Sequence, residues 1–252
     1  MIKIYTFSFM SFLLFSTISH GKSDNSPKEK LSSETGISIR LFKKYSFFSL
    51  LFDSKFSKRY EKQSFSHFKV GSYLKIDRGV QLGMFFTEAL GLRHQDDWKK
   101  RRSGFWGWGD SSRRKEYLIN INVEKRIRFN QLSSNIFGIK VDFQRNFFNE
   151  QNIIFIEPSW HYFFLEKGEP LWSIRAKATF YDALNFDVAG LYKRGLYMSL
   201  IKNINRNFLI SLDYLNLKEV WSQSKKSKES NQTAYSSHDI TNELTVNLVY
   251  YL

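Results

Sequence analysis

Side chains of alternating character run from Tyr117 to Phe143, and this pattern constrains the fold more than any other feature of the sequence. Every second position is apolar in both halves of the stretch: Tyr117, Ile119, Ile121 and Val123, then Phe137, Ile139, Val141 and Phe143. Most positions between them carry amides or charges. A period of two is the spacing of a β-strand whose side chains point to opposite faces. The short polar connection between the halves predicts an antiparallel hairpin.

The same alternation recurs along the chain from Gly36 to Leu252 and predicts about ten strands of roughly 9 to 14 residues, close to the ~9–11 that cross a tilted bilayer. Tight turns are expected at Asp77-Arg78-Gly79 and around Gly168, because glycine accepts positive φ without steric cost. Pro158 predicts a bulge or a local break, since it cannot donate to a ladder. The path of residues 43–64 stays open, as a continued strand or an apolar loop.

Strand length and connections favour a transmembrane antiparallel up-and-down β-barrel. Short turns are expected at one end and longer loops at the other, notably 93–114 and 222–240, which is the arrangement of outer-membrane barrels. Apolar-face aromatics fall near both strand ends, where amphipathic rings prefer the head-group levels. The alternative is a soluble β-sandwich, whose strands are usually shorter, nearer ~5–6 residues. With an even number of strands, both chain ends would lie on the short-turn side.

The first residues have the pattern of a secretory signal peptide, with Lys3 before an apolar run and small residues at positions 19 and 21. The expected organisation is a signal peptide at 1–21, a flexible periplasmic leader at 22–35 and the barrel at 36–252. An N-terminal membrane anchor is the alternative for the first segment. The chain has no Cys, so neither a lipoprotein anchor nor a disulfide framework is expected. Its net charge of +14 predicts anionic partners, and export favours lipid head groups or polysaccharide over nucleic acid.

From Gly36 to Leu252 the chain resembles bacterial outer-membrane β-barrel proteins, by architecture and without a subfamily. Such proteins end on a strand with alternating apolar residues, an aromatic third from the end and a terminal aromatic, recognised by the outer-membrane assembly machinery. Leu244, Val246, Leu248 and Tyr250 fit this pattern, and Leu252 departs from it. The resemblance implies a monomer in the outer membrane, in contact with lipid and lipopolysaccharide-type head groups and the assembly machinery.

In such a barrel the polar positions of the strands face the lumen. The charged lumen residues are expected to be Arg40, Lys69, Lys140, Asp142, Glu157, His161, Arg175, Lys177, Asp213 and Glu243. Opposite charges in a narrow lumen predict a plug of ion pairs, although desolvation offsets much of their attraction. The alternative is a narrow water-filled pore in which surplus cations favour small anionic solutes.

The long loop 93–114 combines cations with indoles, and this composition predicts a binding surface for phosphate or sulfate groups and sugars. Its candidate ligand-binding residues are Lys99, Lys100, Arg101, Arg102, Trp106, Trp108, Arg113 and Arg114. A merely solubilising loop is the alternative. Catalysis is not expected. Ser237-His238-Asp239 are adjacent in sequence and cannot face one another as the residues of a triad do. The one rim cluster of the kind that a hydrolase would use is Asp96-Asp97 with His94. The predicted function is a non-enzymatic surface structural or binding protein without metal or cofactor.

Overall fold

A computed structural model describes residues 29–59, 64–91, 96–100, 106–110, 115–128, 134–148, 150–166, 168–185, 191–222 and 236–252. All regular elements within these residues are β-strands. Their bounds are β1 Glu29–Lys44, β2 Phe48–Arg59, β3 Ser64–Asp77, β4 Val80–Gly91, β5 Asp96–Lys100, β6 Trp106–Asp110, β7 Lys115–Ile127, β8 Asn135–Asn146, β9 Asn152–Glu166, β10 Glu169–Ala183, β11 Leu191–Asn203, β12 Phe208–Ser222 and β13 Ser236–Tyr251.

Eleven of these strands close into one barrel, and β5 and β6 form a separate two-stranded sheet. Neighbours in the barrel follow the chain order and pair antiparallel, with β4 next to β7. The exception is the closing pair, in which β1 and β13 run parallel from Glu29 opposite His238 to Phe42 opposite Tyr251. The predicted all-β barrel is therefore confirmed, with one strand more than the sequence indicated.

The additional strand is β2, which lies in the stretch whose path the sequence left open. It pairs antiparallel with β1 and with β3 over nearly its whole length. Its alternation is weak because Ser54 interrupts the apolar side between Phe52 and Phe56. A strand with a polar residue on each face gives a poor periodic signal, although its backbone pairs like its neighbours.

Two ends of the barrel differ in their connections. The turn end carries the connections 45–47, 78–79, 128–134, 167–168 and 204–207, together with Leu252. The loop end carries the connections 60–63, 92–114, 147–151, 184–190 and 223–235. Since the strand number is odd, the first residue of β1, Glu29, lies at the loop end, whereas the sequence expectation placed both chain ends at the turn end. β1 also includes the last part of the segment expected to be a leader, residues 29–35.

Local backbone chemistry follows the sequence closely at the turns. Gly79 has φ of 75° and Gly168 has φ of 84°, so both predicted glycine turns are confirmed. A Cβ at Gly79 would lie 2.3 Å from the carbonyl oxygen of Arg126, which leaves no room for another side chain. At Pro158 the strand continues, but the ladder to β10 has no pairs between Ser159 and Ile156. The proline therefore marks a local break in one ladder, without a register shift at that point.

The outer face of the barrel is apolar around its circumference. Large apolar side chains that point outward are between 36% and 60% exposed. They include Ile39, Leu41, Phe52, Phe56, Phe68, Leu74, Met84, Phe86, Ile121, Val123, Ile139, Val141, Ile156, Phe180, Leu196, Leu200, Leu212, Tyr214, Leu244, Val246 and Tyr250. The buried positions of the described strands are mostly polar, among them Ser38, Asn122, Thr179, Ser199 and Asn247. This inverts the ordinary soluble pattern of apolar interior and polar surface.

One basic residue on the apolar side of β11 has a simple location. Arg194 is exposed near the loop end and pairs in register with Lys218 of β12. It is an end-of-strand cation next to another cation, so it does not interrupt the apolar belt at mid-height.

Candidate functional site

The candidate site is the polar interior of the barrel, hereafter the lumen, whose wall is built by every second residue of the eleven strands. The structure places all ten charged residues expected there on the inner side of the wall: Arg40, Lys69, Lys140, Asp142, Glu157, His161, Arg175, Lys177, Asp213 and Glu243. Their strands keep an unbroken period of two at these positions, so the neighbours of each residue in sequence point outward.

One ion-pair cluster joins the first three strands beside the parallel seam. The carboxylate of Asp53 accepts a hydrogen bond from Ser38 Oγ at 2.8 Å and pairs with Arg40 Nε at 3.2 Å. His67 Nε2 lies 3.8 Å from the same carboxylate. Neither Asp53 nor His67 is among the lumen charges expected from the sequence; Asp53 lies in the stretch whose path the sequence leaves open.

A second cluster centres on Glu157 of β9. Its Oε1 lies 3.1 Å from Lys177 Nζ and 3.3 Å from Lys140 Nζ, so one carboxylate joins three adjacent strands. Lys177 Nζ also lies 4.6 Å from the ring centroid of Tyr197. A charge-assisted hydrogen bond with a cation–π contact is a favourable arrangement for an ammonium group removed from water.

Three further carboxylates, those of Asp142, Asp213 and Glu243, are almost completely buried and hydrogen-bonded to neighbouring side chains. Asp142 accepts hydrogen bonds from Asn120 at 2.9 Å and Asn122 at 3.3 Å. Asp213 accepts hydrogen bonds from the Tyr197 hydroxyl and from Ser211 Oγ, the latter at 2.9 Å.

Glu243, on β13, pairs with Lys55 of β2 and accepts a hydrogen bond from Thr245 Oγ1 at 2.5 Å. The Lys55–Glu243 contact bridges over β1 and so ties the barrel together across the parallel seam. Lys55 is another lumen residue in the stretch whose path the sequence leaves open.

An aromatic side chain lies in the lumen near mid-wall. Phe85 of β4 is 2% exposed, with its ring 4.8 Å from that of Tyr73. Glycine at two adjoining wall positions makes room for it: a Cβ at Gly71 would lie 2.3 Å from Phe85 Cδ1, and a Cβ at Gly83 would lie 2.7 Å from Cε2. Lys69 Nζ lies 4.5 Å from the Phe85 ring centroid. The ring therefore occupies part of the barrel interior.

His161 and Arg175 each have a buried nitrogen without a hydrogen-bond partner among the described residues. They are register partners on β9 and β10, and Ser199 of β11 is the next register partner of Arg175. The atoms His161 Nε2, Arg175 Nε and Ser199 Oγ are all inaccessible, and none of them has a hydrogen-bond partner among the described residues.

The loop candidates are only partly described. Lys99, Lys100, Trp106 and Trp108 lie in the β5–β6 hairpin, whose register sets residue 98 opposite 108 and residue 100 opposite 106. Arg101, Arg102, Arg113 and Arg114 lie outside the described residues, as does His94. Asp96 and Asp97 begin β5, and residues 237–239 are consecutive positions of β13.

No protein-family model matches the chain, and no curated protein is significantly similar to it. Among the described residues, no helix is long and apolar enough to span a bilayer. Nor does that part of the chain bring together three His, Asp or Glu side chains in a metal-binding arrangement. The lumen and the apolar outer face are therefore the features on which a functional argument rests.

Proposed function

We propose that this chain is an integral outer-membrane β-barrel protein without catalytic activity, with a lumen closed by its own side chains and a structural and binding role at the cell surface. The observation that carries this proposal is the apolar belt on the outer face of a closed barrel. Soluble monomers rarely expose contiguous apolar patches larger than about 300–600 Å². A belt that runs around the barrel instead matches a surface solvated by lipid chains.

Besides an apolar outer face, a membrane span needs its backbone hydrogen bonds to be made within the protein, and the closed sheet supplies them. Lipid offers no hydrogen-bond partners, so every backbone group at membrane depth needs one within the protein. Each of the eleven strands has a hydrogen-bonded neighbour on both sides, and β1 closes the ring against β13. The barrel therefore has no unpaired edge strand.

The side-chain contacts inside the lumen favour a non-conducting barrel rather than an open channel. Carboxylate clusters at Asp53, Glu157 and Asp213 link neighbouring strands, and Phe85 occupies part of the interior. A narrow pore for small anionic solutes is the second candidate, because the side chains of Lys140 and Lys177 each retain 20% exposure inside the barrel. Partly hydrated lysines are the lining that an anion-selective pore needs.

The binding role rests on the loop between β4 and β7. It carries the β5–β6 hairpin with its cations and tryptophans at the loop end of the barrel. We propose that this loop contacts anionic glycan or lipid head groups, such as those of lipopolysaccharide, while the outer-membrane assembly machinery inserts the barrel through its last strand. Indole rings stack on sugars, and adjacent lysines and arginines pair with phosphate.

Membrane integration is tested by extracting the protein from membranes with detergent and comparing its gel mobility with and without boiling. A lipid-embedded barrel should shift mobility on boiling and should not be released by carbonate washing, whereas a soluble barrel would wash off. Single-channel recording in planar bilayers then separates the two lumen candidates. Absence of conductance supports the closed barrel, and anion-selective current would replace it with the pore.

The loop is tested with a matched pair of double variants. Lys99→Gln/Lys100→Gln removes two charges at the loop end, and Lys43→Gln/Lys44→Gln removes two at the turn end. Binding of lipopolysaccharide to the folded protein should weaken only in the first variant. Equal effects would mean that net charge, and not the loop, attracts the ligand. A rim hydrolase would instead lose activity in Asp96→Ala and Asp97→Ala.

A further inference from the structure

The wall of the lumen holds three neighbouring polar atoms without a hydrogen-bond partner among the described residues. Arg175 Nε, His161 Nε2 and Ser199 Oγ are buried, and none has a hydrogen-bond partner within the described part of the chain. Buried polar atoms are usually paired, so an unpaired group needs an explanation of its own. Here three of them occupy one row of the wall, because His161 and Ser199 are the two register partners of Arg175.

The three side chains lie at one level of the wall on adjacent strands. Adjacent strands lie about 4.8 Å apart, so the three side chains span roughly 10 Å of wall and point to the same interior space. The guanidinium supplies a planar fork that fits an oxyanion, and the hydroxyl and imidazole supply one further donor each. Carboxylates nearby are committed elsewhere: Glu157 to Lys140 and Lys177, and Asp213 to Tyr197 and Ser211.

The electrostatic surroundings also favour a negative ligand. The other arginines of the lumen have their own carboxylates: Arg40 lies 3.2 Å from Asp53, and Arg126 Nε lies 2.5 Å from Glu124. Arg175 has no hydrogen-bonded or ion-paired carboxylate among the described residues. Lys69 has none either, but its ammonium lies over the Phe85 ring, so Arg175 is the arginine of the described lumen left to be neutralised.

We propose that the lumen of this barrel contains a binding site for a tetrahedral oxyanion, phosphate or sulfate, formed by Arg175, His161 and Ser199. The bound anion neutralises the guanidinium and accepts hydrogen bonds from all three donors, which completes the polar wall at this row. The site is separate from the loop that contacts glycan or lipid head groups, and it does not depend on whether the barrel conducts.

Equilibrium dialysis of the full-length, detergent-folded protein against radiolabelled inorganic phosphate at low ionic strength tests the site. We expect saturable binding of about one phosphate per chain, displaced by sulfate. Arg175→Gln should weaken it about ten- to hundredfold, since hydrogen bonds to charged groups contribute on that scale. The matched control is Arg194→Gln, which removes the same charge from an exposed position of the neighbouring strand and should leave the affinity unchanged.

Folding of each variant is checked by its heat-modifiable gel mobility. If Arg175→Gln does not fold, Ser199→Ala decides, because it removes one neutral donor at a buried position and should weaken binding about two- to tenfold. Three results would overturn the proposal: no saturable phosphate or sulfate binding by the native chain, unchanged affinity in the folded lumen variants, or an equal loss in Arg194→Gln. The first of these would mean that water alone satisfies the three donors.

Discussion

Substitution of Ile121 by arginine provides the sharpest test of which solvent surrounds the barrel. Ile121 is 43% exposed at the centre of β7, between Met84 and Phe143 in register. If lipid surrounds this position, an arginine there should cost about 2–4 kcal/mol, the range for the lipid face of a barrel at the bilayer midplane. That is about a 30- to 900-fold change in the unfolding equilibrium. On a water-exposed surface the same change is usually within about 0.5 kcal/mol.

Ile127 provides the control, because it is 46% exposed on the same face of β7 but lies at the turn end of the strand. An arginine there is expected to reach the head groups and to cost about 0–1 kcal/mol. The assay is urea unfolding of protein folded into phospholipid vesicles, followed by tryptophan fluorescence and by gel mobility without boiling. Equal costs at the two positions, or a negligible cost at Ile121, would refute the assignment of this face to lipid.

Three other perturbations probe the wall. Phe85→Ala should cost about 3–5 kcal/mol, because the glycines beside the ring cannot fill the space it leaves, and should raise single-channel conductance if the ring closes the lumen. Glu157→Gln leaves two lumen lysines without their shared carboxylate, so urea unfolding should show a loss of about 1–3 kcal/mol. Gly79→Ala should destabilise more than Gly168→Ala in the same assay: both have positive φ, but only the former places a Cβ against the Arg126 carbonyl.

Most of the barrel follows from the alternation of side chains, and the reason is geometric. In a strand such as β7, with lipid-like residues on one side and amides on the other, the period of two fixes both the conformation and the face of each residue. The hairpin of β7 and β8 is formed as predicted, with Ile121 opposite Phe143. β2 could not be predicted from the sequence, because Ser54 lies on its apolar side and Leu51 on its inner side, so the two faces differ little. Its pairing with β1 and β3 depends on the neighbours, which no local pattern encodes.

The lumen could be predicted only as a set of charges, not as a set of contacts. Alternation shows that Lys140, Glu157 and Lys177 face inward, but their convergence depends on the register between β8, β9 and β10. The partner of Arg40 is Asp53, which lies on β2, the strand that could not be predicted from the sequence. Likewise, Arg175 cannot be distinguished from the other lumen cations by sequence, since its lack of a carboxylate appears only when the strands are paired.

The odd number of strands determines at which end of the barrel β1 begins, and cysteine labelling can test this directly. With eleven strands and a parallel β1–β13 seam, the start of β1 lies at the loop end, whereas an even-stranded barrel would place it at the turn end. Ser33 is an exposed residue near this start, Glu150 is exposed at the loop end and Ile204 is 48% exposed at the turn end.

Because the chain has no Cys, single substitutions to cysteine at these three positions can be labelled without background. In vesicles with one orientation of the barrel, an impermeant maleimide should label Ser33→Cys and Glu150→Cys from the same side and Ile204→Cys from the other. The backbone register requires this grouping, since fourteen successive pairs from Glu29 to Phe42 run parallel to β13. Labelling of Ser33→Cys together with Ile204→Cys would contradict the parallel seam and restore an even-stranded barrel, in which β1 enters from the turn end.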